Sequence, residues 1–239
     1  MIKFKSTKEL SSRRVAGLIV GQSGIGKTSL AKTFPLPHDN VLIVSAESGL
    51  LCLQDTDISV FEIDPNIPYD SIGEVFEYLQ TDEAKRRFKY IFIDSLTEIS
   101  QLVLAYLKTD PKLSDPKNAF PLWNKYAELM VKMIKVFRDM NDYSVFFTCL
   151  TKQEKDGAVF IDELNVQGAN LKDSLKSYFD LVLHYKIFTA DDGQKHRKLI
   201  SDMSESSLAK DRSGKLEPYE DADLSQIIEK ILGVQSEKK

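Results

Sequence analysis

A chain of 239 residues, 42% hydrophobic and 28% charged, has the make-up of an ordinary globular protein and is long enough for one large α/β domain. The formal net charge of −4 excludes a uniformly basic, tight, non-specific nucleic-acid binder, though not a local basic surface. Apolar runs too short to cross a bilayer, no signal-peptide core after Met1, and two cysteines (Cys52, Cys149) without disulfide or zinc spacing point to the cytoplasm and away from a membrane.

The first fourteen residues carry Lys3, Lys5, Lys8, Arg13 and Arg14 against Glu9 alone, so 1–13 reads as an exposed basic arm ahead of the core. Val15 to Val20 is a short apolar run followed by turn residues, the pattern of a buried strand. Thr28 to Phe34 reads as a helix stopped by Pro35 and Pro37, and Val41 to Val44 as the next buried strand, which makes a βαβ unit. Val60 to Ile63 is a third strand, followed by a helix from about Asp70 to Phe88. Tyr90 to Ile93 is a further strand ending at Asp94, and the spacing of Leu96, Ile99, Val103 and Tyr106 predicts a helix directly after it.

Three prolines make Thr109 to Pro121 a loop, and Leu122, Tyr126, Leu129, Met133 and Phe137 form a second helical stripe. After the strand Ser144 to Leu150 the pattern changes to antiparallel pieces. A hairpin turn is expected at Gln153-Glu154-Lys155-Asp156-Gly157, a helix near Leu171 to Tyr178, a strand at Leu181 to Ile187 and a turn at Asp191-Asp192-Gly193. Leu224 to Leu232 closes the pattern as an amphipathic helix, with 233–239 as a polar tail. No repeat or linker divides the chain, so 14–232 is expected to be one domain. Its fold class is α/β, a mostly parallel central sheet flanked by helices with an antiparallel C-terminal extension.

The chemistry is concentrated in Gly21-Gln22-Ser23-Gly24-Ile25-Gly26-Lys27-Thr28, which matches G-x-x-x-x-G-K-[ST] between a predicted strand and a predicted helix. The glycines let backbone N–H groups close around phosphates, and the helix that begins with Thr28 and Ser29 adds its N-terminal dipole. In that reading Lys27 reaches the β- and γ-phosphates of ATP and Thr28 ligates Mg²⁺. Asp94, at a strand end, suits the carboxylate that serves Mg²⁺; a plain helix cap is the alternative. Ser95 follows it where many such ATPases carry a glutamate. Glu47, just past the strand Val41 to Val44, is then the candidate for orienting the attacking water.

P-loop, Ala46-Glu47 after one strand and Asp94-Ser95 after another together resemble the RecA-type recombinase core. The whole chain resembles the short RecA-like ATPases of phage recombination and replication modules, over roughly Arg14 to Leu232. The resemblance implies that Glu47 activates water. It also implies a homo-oligomer, ring or filament, acting on single-stranded DNA by annealing or strand pairing, in the host cell cytoplasm, with a single-strand-binding or replication protein as a further partner. Ala209-Lys210-Asp211-Arg212 resembles the paired basic residues that such protomers offer to a neighbour's ATP, and on a strand both side chains would share one face; an ordinary solvated basic pair is the alternative.

The chain departs from the family in having no glutamine at the end of the strand Ser144 to Leu150, where Thr148, Thr151 or Gln153 would have to substitute. Of the candidate DNA-contacting stretches, Thr109 to Pro121 offers Lys112 and Lys117, and Gln194 to Lys215 offers Lys195, Arg197, Lys198, Lys210, Arg212 and Lys215. Two other classes start from the same P-loop, a helicase-loading or replication-accessory ATPase directed at a protein, and a small-molecule kinase, for which no arginine-rich lid is evident.

Overall fold

The computed structural model describes residues 14–47, 49–156, 159–189 and 193–233. The basic arm, the tail beyond Gly233, and the expected turn residues 157 and 191–192 lie outside the described residues.

Six strands form the parallel body of the sheet: β1 (Ala16–Gly21), β2 (Val41–Ser45), β3 (Ser59–Glu62), β4 (Tyr90–Asp94), β5 (Ser144–Asp156) and β7 (Leu181–Thr189). β6 (Val159–Leu164) pairs antiparallel with the far half of β5. β8 (Lys195–Ile200), β9 (Lys210–Asp211) and β10 (Tyr219–Asp221) make the antiparallel extension, and the order across the sheet is β10-β8-β7-β1-β5-β4-β2-β3. The central strands are apolar throughout because both faces are covered, as in β2, where all of Val41–Ser45 is buried.

One face packs against α1 (Pro68–Leu79), α3 (Leu96–Leu107), α4 (Phe120–Arg138) and α5 (Ala169–Leu175) through Ile72, Val103, Met133 and Leu171. On the other face lie a short 3₁₀ helix, Thr28–Thr33, and α6 (Leu224–Leu232), joined through Leu30, Leu224 and Ile227. β5 is inserted between β1 and β4, so the P-loop and the acidic strand end are two strands apart and face one crevice at the carboxyl ends of the strands.

The elements differ from the sequence expectations at several places, among them α4, which starts at Phe120 inside the expected loop because Pro121 suits the first turn of a helix, and β10, which has no counterpart in those expectations. The expected helix Asp70 to Phe88 is two helices, α1 and α2 (Asp82–Arg87), because Thr81 takes an extended conformation and its hydroxyl accepts from Ala84 N at 3.3 Å, starting a new helix. The segment after the P-loop is 3₁₀, ending where Phe34 turns extended ahead of Pro35. Gln153 to Asp156 belong to β5 and not to a turn, since charged residues are tolerated on a two-stranded ribbon that leaves the sheet. β8 escapes the apolar pattern because its first half is exposed.

Candidate nucleotide site

β1 ends at Gly21, where the chain must turn tightly over β7. A Cβ there would stand 2.9 Å from the Tyr185 carbonyl oxygen, so backbone meets backbone and only glycine fits. Gly26 has φ +104°, a conformation closed to ordinary side chains, and it sets up the last bend before Lys27. Lys27 is buried and curls back, its Nζ donating to Gly21 O (3.0 Å) and Gln22 O (2.9 Å). Burial pushes its ammonium pKa down, and nearby Asp94 opposes that shift.

The acidic side of the crevice comes from β2 and β4, which pair in parallel with Ser45 opposite Asp94. Asp94 is buried and held from two directions. Its Oδ2 accepts from Thr28 Oγ1 at 2.6 Å, and its Oδ1 accepts from Thr148 Oγ1 on β5. Beyond β2, Ala46 N donates to Asp94 O (2.8 Å), and the Ser45 hydroxyl donates to Glu47 O (2.6 Å). Ser95, which also caps α3, donates from Oγ to Glu47 Oε1 at 2.7 Å. Lys27, Thr28, Glu47 and Asp94 thereby line one cleft of about 190 Å³, together with Ser23, Gly24, Gly26 and Ser29.

Lys210 and Arg212 lie elsewhere. β9 pairs with β7 at Leu181 and Val182, the end of β7 remote from the P-loop, and covers only Lys210 and Asp211, so Arg212 lies beyond it. Lys210 Nζ donates to Lys176 O (3.0 Å) and Phe179 O (2.5 Å), and Arg212 Nη1 pairs with Asp180 Oδ1 at 2.7 Å. Of the three candidate substitutes for the absent glutamine, Thr148 is spent on Asp94. Thr151 Oγ1 is buried without a hydrogen-bond partner, and Gln153 lines a neighbouring cavity beside Gln22 and Ser23. Two contacts of the site have no counterpart in the sequence motifs: Ser95 donates to Glu47, and Arg197 neighbours the P-loop, its Nε donating to Ile25 O at 3.1 Å. Thr148 carries a signal of its own, a lone hydroxyl in the buried run Val145 to Cys149.

A glycine loop leading from a parallel strand, with a lysine and threonine facing two strand-end acids, defines a P-loop nucleoside triphosphatase. The chain belongs to the AAA domain family, whose family model matches residues 13–213, and it is accordingly a nucleotide-binding ATPase. Among solved structures it is similar to a prototypical ATPase from the type III secretion system of pathogenic bacteria, at 14% identity and a TM-score of 0.48. That match covers 72% of this chain and 51% of the other, so this chain spans about half the length of that protein. No curated protein sequence matches. Among the described residues, no helix is long and apolar enough to cross a membrane.

Proposed function

We propose that this ATPase is a phage recombination protein that works on single-stranded DNA in the host cytoplasm, annealing or pairing strands as a homo-oligomer in which a neighbour completes each ATP site. The observation that carries the chemistry is the Ser95–Glu47 hydrogen bond, which holds one carboxylate over the cleft beside Lys27, Thr28 and Asp94. From there Glu47 orients a water for in-line attack and accepts its proton. Thr28 Oγ1 and Asp94 Oδ2, hard oxygens 2.6 Å apart, fit Mg²⁺. Bound there with ATP, the ion would supply charge neutralisation at the β- and γ-phosphates. Lys27 exchanges its two loop carbonyls for phosphate oxygens.

Exposed Phe120 and Trp123, close to Lys112, Lys117 and Lys125 in sequence, support single-stranded DNA as the partner, since bases stack on aromatic faces while lysines track phosphates. Lys210 and Arg212, at the strand ends remote from the cleft, would reach the nucleotide of the next protomer in a head-to-tail assembly. A protein-directed accessory ATPase is the second reading. It is favoured by an apolar groove of about 260 Å³ between α1 and α4, lined by Tyr69, Phe76 and Val136.

The test is ATP hydrolysis at low salt with and without single-stranded DNA, alongside Lys27→Ala and Glu47→Gln. Stimulation by DNA that both variants lose, with ATP-dependent DNA retention by Glu47→Gln, is expected. Hydrolysis indifferent to DNA, and no retention by Glu47→Gln, would transfer the function to the protein-directed reading.

A further inference from the structure

Arg197 belongs to the basic stretch that the sequence offers for phosphate contacts, yet the fold brings it to the P-loop, 172 residues away in the chain. It sits on β8 directly opposite Ile187 of β7. Its Nε–H donates to the carbonyl oxygen of Ile25 at 3.1 Å. Among the described residues it joins no ion pair, unlike Lys198 next to it, which is held by Asp221 at 2.6 Å. From the same hairpin, the Tyr185 backbone closes on Gly21 and the Tyr185 ring lies about 4 Å from where a Gly26 side chain would begin. β7 and β8 therefore back the outer surface of the loop at both of its ends.

The consequence follows from peptide geometry. The Ile25–Gly26 peptide is trans, so its C=O and N–H point in opposite directions. A carbonyl fixed outward on Arg197 turns the Gly26 N–H towards the hollow of the loop. Gly26, at φ +104°, has the conformational freedom to let this peptide flip, so something outside the loop has to hold it. A guanidinium on the carbonyl also polarises the amide, which strengthens the N–H as a donor to an anion.

We propose that Arg197 is a positioning residue of the nucleotide site: it locks the Ile25–Gly26 peptide so that the Gly26 N–H is preorganised for a phosphate oxygen. It acts through the loop and does not itself touch the nucleotide. The proposal rests on the reading of the P-loop as the ATP site, and it predicts that the benefit falls in binding and not in the chemical step.

Nucleotide affinity and turnover of Arg197→Ala, Arg197→Gln and Lys27→Ala, with the Gly26 amide followed by NMR and hydrogen exchange, test this. Arg197→Ala is expected to weaken ATP and ADP about ten-fold, within the range of a lost charge-assisted hydrogen bond, with kcat at saturating ATP unchanged. Its free-state Gly26 amide should shift and exchange faster. Arg197→Gln, which keeps a donor but no charge, should recover most of the affinity and the wild-type amide signal. Unchanged affinity in Arg197→Ala while Lys27→Ala loses nucleotide would overturn the proposal and leave the ATP site standing. A loss that Arg197→Gln does not repair, with Gly26 undisturbed, would overturn it in favour of simple charge attraction. No nucleotide binding by the wild type would remove both.

Discussion

Asp94 receives hydroxyl donors on both oxygens, one from Thr28 at the end of the P-loop and one from the strand inserted beside it. Thr148→Val keeps the shape and removes the second donor, leaving a buried carboxylate oxygen unpaired. We expect a loss of about 1–3 kcal/mol in denaturant unfolding. If Asp94 serves Mg²⁺ as proposed, ATPase activity should fall about 10–100-fold, with Thr148→Ser restoring both. His184 is a second buried polar group with consequences at this scale. Its Nδ1 is 2.6 Å from Ser206 Oγ, and burial pushes its pKa down to about 4, with Lys186 adding to the shift and Asp162 opposing it. The unfolded chain takes up the proton near 6.5 and the folded one does not until about 4, so the stabilisation is complete above 6.5 and is lost as pH falls towards 4. Urea midpoints should drop across that window by up to about 3 kcal/mol in stability, at about 1.4 kcal/mol per pH unit. His184→Gln should flatten the slope.

At the scale of elements, α6 shows how a distant helix supports the site. Asp223 caps it by accepting from Ser225 N (2.8 Å) and Gln226 N (3.2 Å), and Gly233 ends it in the left-handed conformation. Leu224 N donates to Thr33 Oγ1 at 2.8 Å, and Ile227 is fully buried in the cluster that contains Leu30 and Ala31, the segment immediately following the P-loop. Removing the cap with Asp223→Ala should cost about 1 kcal/mol, whereas Ile227→Ala, which opens a cavity behind that segment, should cost about 2–5 kcal/mol. Denaturant unfolding of the two variants would separate them, and equal costs would mean that α6 does not brace the site.

At the scale of the whole molecule, the two basic residues proposed to serve a neighbour's ATP are not equally free to leave. Arg212 is in an exposed ion pair, the kind that contributes little and exchanges easily, while Lys210 is spent on two backbone carbonyls. Arg212→Ala should therefore fold normally and, on the proposed head-to-tail assembly, still lose ATPase activity. Mixed with Lys27→Ala, also inactive, it should regain part of the activity, because some interfaces then pair an intact P-loop with an intact Arg212. No recovery on mixing would place Arg212 outside the neighbour's site.

The glycine loop is legible in the sequence alone, since Gly21 to Thr28 is a local motif and the strand ahead of it is continuous in the chain. The central parallel strands are legible as well, because burial on both faces writes itself as unbroken apolar runs. α6 is legible to the residue through its amphipathic spacing. What the sequence leaves open is whatever depends on which strands become neighbours. The Ser95–Glu47 bond requires β2 beside β4, the Thr148–Asp94 bond requires β5 between β1 and β4, and the Arg197–Ile25 bond requires β8 folded back along β7. A motif specifies the backbone conformation of its own residues. The partners that hold those residues in place come from strand order, and strand order is set by packing over the whole sheet.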